Sequence, residues 1–304
     1  MEDIAGQQLR SRRQSVVRDV KNACYDILKT QNSLVSTEES IVFYRELDQL
    51  VKRYLEEQTV LKYQVMEVDS RLARAEHQAF SERNELATQQ EKLNKLLGRD
   101  VMQRFSVSTV GVSHLPIPLQ ADAEVIAIAQ RPEVREAQLK LQHAEYGYRI
   151  KKSEYLPDVD LQYRYTRFYD TEFIPDEESA IGVTAHWEFY DWGRKSQDLS
   201  KKNYAIRQAR NEIHEAKSQV LIDVNNSLRK LEDAQNLVAV TSLTRAAARE
   251  KLRVLMNQYR EQAVLLDDVL QAESDLARAN TEYNNAQLSV WTGQAELQKA
   301  MGEG

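Results

Sequence analysis

Apolar and polar positions change their period along the chain, and the changes mark its organisation. From residue 1 to about 53, Val16, Val20, Ala23, Ile27, Leu34, Ile41, Leu47 and Leu50 recur at helical spacing. They predict a long helix with a mostly polar surface. A second helix is predicted over 60–98. There Val68, Leu72, Ala75, Ala79, Leu86, Leu93 and Leu96 follow a 4-3 alternation, interrupted by Glu82 and Gln89. Gly98 suits its C-terminal cap. A linker follows over 99–120, then a third helix over 121–154 that stops before Pro157. Another helix is predicted over 194–257 and a last one over 264–302. In the last, Ala272, Leu276, Ala279, Tyr283, Ala286, Val290, Gly293, Leu297 and Ala300 step 4, 3, 4, 3 without a break. That is a coiled-coil seam, and its small residues favour close helix approach.

One stretch, Tyr155–Gly193, has period two. Val159, Leu161, Tyr163 and Tyr165 alternate with Asp158, Asp160, Gln162, Arg164 and Thr166. Ile181, Val183, Ala185, Trp187 and Phe189 alternate with Gly182, Thr184, His186, Glu188 and Tyr190. Each run reads as a strand with one apolar and one polar face. The proline-containing acidic segment Thr171–Ser179 separates them, so the pair reads as a long hairpin. A lone hairpin is marginal in water and leaves two unpaired edges. Strands of this length are long enough to cross a bilayer in a barrel. The alternative is a soluble antiparallel sheet with one wet face.

The two helical flanks are copies of each other. A shift of 204 positions aligns 57–98 with 261–302 without a gap, and 15 of the 42 positions are identical. The matches include the run Leu72-Ala73-Arg74-Ala75 with Leu276-Ala277-Arg278-Ala279, and Gly98 with Gly302. Shared heptads alone do not demand Arg74/Arg278 or the paired glycines, so the register reads as an internal repeat. The second copy follows a helix and a hairpin; the first follows Met1. The expectation is therefore an N-terminally shortened form of a longer protein, without the first helix and hairpin and without a leader.

Composition supports the helical reading. All five prolines fall between 116 and 175, and the chain has only nine glycines. Proline-free flanks permit uninterrupted helices. A net charge of −6 argues against nucleic acid as the main partner. The single cysteine, Cys24, excludes an intrachain disulfide and reads as a half-buried helix residue rather than a lipid acceptor. Met1–Arg13 contains no apolar core of the kind a secretory signal needs, and no apolar run is long enough for a transmembrane helix.

Three segments carry a family resemblance. RPEVREAQLKLQHAEYGYRIKKSEYLPDVDLQYRY (131–165) looks like an Arg-Pro-Glu helix start followed by a Leu-Pro strand entry. WEFYDWGRK (187–195) looks like an aromatic strand end before an Asp-x-Gly helix entry. YREQAVLLDDVLQAESDLARAN (259–280) is similar to a helical tip and the aspartate-containing start of the return helix. With the repeat, they make the chain resemble the TolC family of outer-membrane efflux proteins from residue 1 onward.

The resemblance implies a mainly α fold. Long antiparallel coiled-coil helices would form a trimeric α-barrel, and one β-hairpin would contribute to a transmembrane β-barrel. Residues 1–98 and 194–302 would be the two repeat pairs of the periplasmic α-barrel, with 99–120 a linker, 121–154 a helix and 155–193 the outer-membrane hairpin. The implied function is an outer-membrane channel component of a tripartite efflux or type I secretion system. It would be a passive duct in the outer membrane and periplasm, a homotrimer working with a periplasmic adaptor (membrane fusion) protein and an inner-membrane transporter. No cofactor and no metal are implied. The chain departs from the family pattern at Glu188, where proline is usual, and at Gln262 and Val264, where glycine and arginine are frequent.

The implied site residues are of three kinds. Asp268, with Asp267 beside it, would form a periplasmic gate, one carboxylate ring of three that favours cations. Repeat pairing puts Gln64 at the equivalent place, so the ring would be single. The alternative is that both aspartates sit in the first turn of a helix, where the dipole suits them. Gln162, Arg164, Thr184, His186 and Glu188 would line the barrel lumen. Glu56, Glu57, Arg260 and Glu261 would contact an adaptor, or else form solvated turns. Enzyme readings are poor: the five histidines are scattered, no HExxH spacing or glycine-rich phosphate loop exists, and Cys24 has no evident base. A non-channel, truncated soluble coiled-coil protein or decayed gene product is the second reading.

Overall fold

The computed structural model describes residues 2–108, 116–167 and 177–303. In chain order the elements are α1 (Glu2–Glu56), α2 (Lys62–Leu96), α3 (Gln120–Gln130), α4 (Pro132–Ser153), β1 (Asp158–Arg167), β2 (Glu177–His186), α5 (Arg194–Arg260) and α6 (Leu266–Ala300). The 67-residue α5 and 55-residue α1 are the proline-free runs expected from the sequence. No described helix is long and apolar enough to cross a membrane.

The helix expected over 121–154 is two helices. Arg131 takes an extended backbone (φ −65°, ψ 125°) and separates α3 from α4. The physical cause is Pro132: its ring disfavours the helical region for the preceding residue, while its missing N–H is harmless at a first helical position.

The chain divides into two compact units. One comprises residues 1–8 and 132–219, and the other residues 9–131 and 220–304. In the second unit, antiparallel helices pair through named contacts. Between α1 and α2, Arg45 pairs with Glu76 and Arg83 with Glu38, each at 2.7 Å. Between α1 and α6, the Tyr25 and Trp291 rings lie 6.4 Å apart, and Lys21 donates to Gln298 at 2.8 Å. Between α5 and α6, Lys230 pairs with Glu296 and Lys251 with Asp275. α6 buries two stripes. One carries Ala272, Ala279, Ala286, Gly293 and Ala300; the other carries Leu266, Leu270, Glu273, Leu288 and Ala295. A β-carbon on Gly293 would lie 3.4 Å from the Leu231 Cα, so its smallness brings α5 and α6 close together. At one end Tyr44, Leu47, Val51, Val65, Val68, Leu252, Tyr259, Leu266 and Leu270 form a shared apolar core.

The repeat is visible in the backbone. Gln58 and Gln262 both have positive φ (61° and 59°), and so do Gly98 and Gly302 (65° and 83°). The turn bonds repeat atom for atom. Gln58 N–H donates to Leu55 and Thr59 N–H to Tyr54. Gln262 N–H donates to Tyr259 and Ala263 N–H to Gln258. Heptad spacing alone would not reproduce these capping bonds.

In the first unit β1 and β2 form a two-stranded antiparallel sheet. Leu161 faces Val183, Tyr163 faces Ile181 and Val159 faces Ala185. The second strand lies earlier than its alternation suggested: it begins at Glu177 and ends at His186, leaving Trp187–Tyr190 outside it. Pro157 ends the partner strand at Asp158, so nothing remains for residues beyond His186 to pair with. Of the expected acidic loop, residues 171–176 lie outside the described residues, as do 109–115 of the expected linker.

Candidate functional site

The hairpin sorts its side chains onto two faces. Directly opposed residues of an antiparallel pair share a face. Gln162 and Arg164 therefore share one with Gly182 and Ala180, and Thr184 and His186 share it with Asp160 and Asp158. Thr166, already on the polar side of the sequence alternation, pairs with Glu178, which adds to this face. The other face holds Val159, Leu161, Tyr163, Tyr165, Ile181 and Val183, each at least half exposed. Both outer edges of the sheet are unpaired among the described residues.

Glu188 is not on the polar strand face. It lies two residues beyond β2, and its carboxylate pairs with Arg194 at 3.0 Å and Lys195 at 3.4 Å. The Lys195 ammonium also donates to the Glu188 carbonyl at 2.7 Å. This glutamate thus belongs to the turn into α5.

The same turn explains the Asp-x-Gly motif. One Asp191 oxygen accepts from the Gly193 N–H and the other from the Lys195 N–H, at 3.2 and 2.6 Å. This satisfies donors that a helix start leaves orphaned. Trp192 and Gly193 reach it through positive φ (57° and 83°). Trp187 Nε1 donates to the Tyr155 carbonyl, tying the two ends of the hairpin. Phe189, Tyr190 and Trp192 are exposed around this base. Such a belt suits a membrane–water interface, where apolar ring and polar edge meet different media.

The Arg-Pro-Glu motif does comparable work in the second unit. Buried Arg131 donates to the Lys299 carbonyl at the end of α6 and pairs with Asp223 of α5, both at 3.1 Å. Gln14 donates to the Gly302 carbonyl at 2.6 Å.

The four tip residues are brought together. Glu56 ends α1 and Glu57 follows it, Arg260 ends α5 and Glu261 follows it, and all four are exposed. Tyr54 donates to the Arg260 carbonyl at 3.0 Å and packs edge-on against Tyr259 at 6.0 Å, which holds the two turns side by side. Burial pushes the Tyr259 phenol up to about 12, helped by Tyr54. Asp267 and Asp268 open α6, both exposed. Asp268 accepts from the Leu265 N–H at 3.2 Å, just as Gln64 accepts from Leu61 at 2.9 Å in the first copy.

Sequence reasoning passed over one titratable group. Glu273 on α6 is only 4% exposed. Burial raises its carboxyl to about 7, against a hydrogen bond from Ser40 that lowers it, and Glu39 adds to the rise. The heptad register through Ala272 assigns position 273 to a flank. Only the packing of a second α6 stripe against α1 buries it. Among the described residues, no group of three or more His, Cys, Asp or Glu is placed to hold a metal.

The family model for outer membrane efflux proteins matches residues 125–303, from α3 through the hairpin to the end of α6. The chain belongs to the outer membrane efflux protein family. Solved structures similar to this efflux protein share its fold. The outer membrane protein VceC of Vibrio cholerae matches with a TM-score of 0.87 at 16% identity, over 99% of this chain and 73% of that one. The CmeC outer membrane channel of Campylobacter jejuni matches with 0.87 at 14%, over 99% and 65%. The open-state MtrE outer membrane channel of Neisseria gonorrhoeae matches with 0.84 at 16%, over 99% and 69%. Comparison with curated proteins finds no match. Family and fold make this efflux protein a channel component of the outer membrane and periplasm.

Proposed function

We propose that this efflux protein acts as a homotrimeric exit duct, joined to a periplasmic adaptor and an inner-membrane transporter. The hairpin's register carries the reading. It sets a face carrying Val159, Leu161, Tyr163, Ile181 and Val183 opposite a polar one, on a sheet whose two edges are unpaired among the described residues. Water suits neither the apolar face nor the free edges. A bilayer accepts such a sheet only in a closed barrel, where every backbone group is paired. Strands from other copies supply the closure, so segment 155–193 takes the membrane and the helical pairs 1–98 and 194–302 the periplasm.

In this reading Gln162, Arg164, Thr184 and His186 face the lumen and the aromatic base marks the interface. The exposed tip residues Glu56, Glu57, Arg260 and Glu261 offer charge to an adaptor. Asp268, with Asp267 beside it, sets a negative ring at the entrance that favours cations. Solute passes without covalent chemistry. The test is to extract the full chain from membranes and measure its mass in detergent, with single cysteines on the outer edges of β1 and β2. Trimers that cross-link edge to edge support the reading. A monomer that never enters the membrane fraction removes it.

A further inference from the structure

One groove of the second unit has the character of a ligand site. It runs beside α1, between α2 and α6, with a volume of about 310 Å³. Arg71 and Arg74 line it, three residues apart on α2. Neither has an ion-pair or hydrogen-bond partner among the described residues; Arg71 only senses the Tyr44 phenol electrostatically. Ser36, on the same groove, is 5% exposed, and its hydroxyl oxygen is buried without a partner. A buried hydroxyl left unbonded is costly, and so is keeping two cations close together.

The internal repeat supplies a control. A shift of 204 carries this groove onto one of about 540 Å³ between α5 and α6. There Asp275 replaces Arg71 and pairs with Lys251 at 3.1 Å. Val240 stands where Ser36 would be, and Ala248 where Tyr44 would be. Arg278 keeps the place of Arg74, so the helical hairpin forms with one arginine and without the arginine pair or the orphan hydroxyl. Arg71, and with it the arginine pair, and the Ser36 hydroxyl are particular to the first copy.

The groove also has a defined place on α6. Asp268, Asp275 and Glu282 recur every seven residues along one stripe of α6. The α5–α6 groove touches Asp275 and Glu282, whereas the arginine groove touches Ser274 and Thr281, each about 100° round the helix. The two grooves flank the stripe that begins at Asp268.

We propose that the Arg71–Arg74 groove is an anion site, taking the carboxylate or phosphate group of a small solute through the two guanidinium groups and the Ser36 hydroxyl. Guanidinium forks match both groups in geometry, and their spacing on the helix, about 5–6 Å between β-carbons, spans one oxyanion. The Glu273 carboxyl, bonded to Ser40, is held back from ionising below about pH 7, so at mildly acid pH it does not cancel the cationic rim. That the groove meets solute in transit rests on the channel reading above; its binding chemistry does not.

Titration of the full detergent-solubilised chain with inorganic phosphate at pH 6.5, at constant ionic strength in chloride, tests the site. Phosphate binding is expected, weakened roughly tenfold or more in Arg71→Gln/Arg74→Gln, weakened also in Ser36→Ala, and unchanged in Arg278→Gln on the sister groove. Absence of binding by the unmodified chain, or equal binding by the double variant, overturns the proposal. Planar-bilayer recordings separate the two ideas. Phosphate binding that needs the arginines in a chain that opens no pore overturns the channel reading and the transit role, and leaves the anion site standing.

Discussion

Gln58 and Gln262 occupy the same left-handed backbone position 204 residues apart, each closing the tip of a helix with φ near +60°. Helices commonly end in this conformation, and glycine is its usual occupant because a β-carbon crowds the backbone there. Both glutamines are exposed. Replacing either by glycine is expected to stabilise the protein by ~0.5–1 kcal/mol. Thermal unfolding of the single and double variants in detergent checks this, with the gains adding. A lower midpoint in either single variant would show that the glutamine side chain contributes more than its backbone strain costs.

The second repeated pair, Gly98 and Gly302, is expected to behave asymmetrically. Both have positive φ, but nothing lies within 4 Å of a β-carbon built on Gly98. On Gly302 that carbon would sit 2.9 Å from the Gln130 carbonyl carbon and 3.1 Å from the Arg131 nitrogen. Gly98→Ala should cost only the backbone term, about 1 kcal/mol. Gly302→Ala adds a collision with main chain that cannot rotate away, for a total of about 2–4 kcal/mol. Unfolding midpoints of the two variants should differ clearly; equal losses would mean that the α3–α4 junction yields freely.

These two pairs show how far the sequence could be read. Repeat register and helix period depend on neighbours along the chain, so the tips, the caps and the coiled-coil seam are legible there. So are the two faces of the hairpin, since alternation alone assigns them. Where β2 stops is not legible, because Pro157 ends the partner strand while the aromatic alternation runs on to Tyr190. Glu188 falls outside the strand for that reason. The break at Arg131 had a local signal in Pro132, but the reason to bury an arginine lies in Asp223 and the Lys299 carbonyl, both distant in sequence. Ser36, Arg71 and Glu273 come together only when α1 packs against two other helices.

The hairpin faces yield a direct comparison between adjacent residues. Leu161 lies on the apolar face and Gln162 on the polar one. Arginine on the lipid side of a barrel strand costs about 2–4 kcal/mol at mid-bilayer, whereas a lumen position tolerates it. Leu161→Arg should therefore reduce the amount of assembled, membrane-extracted oligomer, and Gln162→Arg should leave it near the unmodified level. Equal yields from both variants would mean that the two faces meet the same medium.

Glu273 predicts a pH dependence with a definite sign. Its carboxyl is raised from an ordinary 4.5 to about 7 in the folded chain, chiefly by burial. Between those values the unfolded chain releases its proton and the folded one keeps it. Stability therefore falls as pH rises from about 4.5 to 7, and the loss is complete above that. The full effect is about 3 kcal/mol if unshared with other groups. Glu273→Gln removes the ionisation while keeping the size and an acceptor for Ser40. The variant should match the unmodified protein near pH 5 and exceed it at pH 8, read as unfolding midpoints across that range. Parallel profiles would place the charge of Glu273 in solvent, contrary to its packing between α6 and α1. The same ionisation brings a negative charge to Ser40, on the arginine groove. Phosphate affinity there should therefore also be weaker at pH 8 in the unmodified chain than in the Glu273→Gln variant.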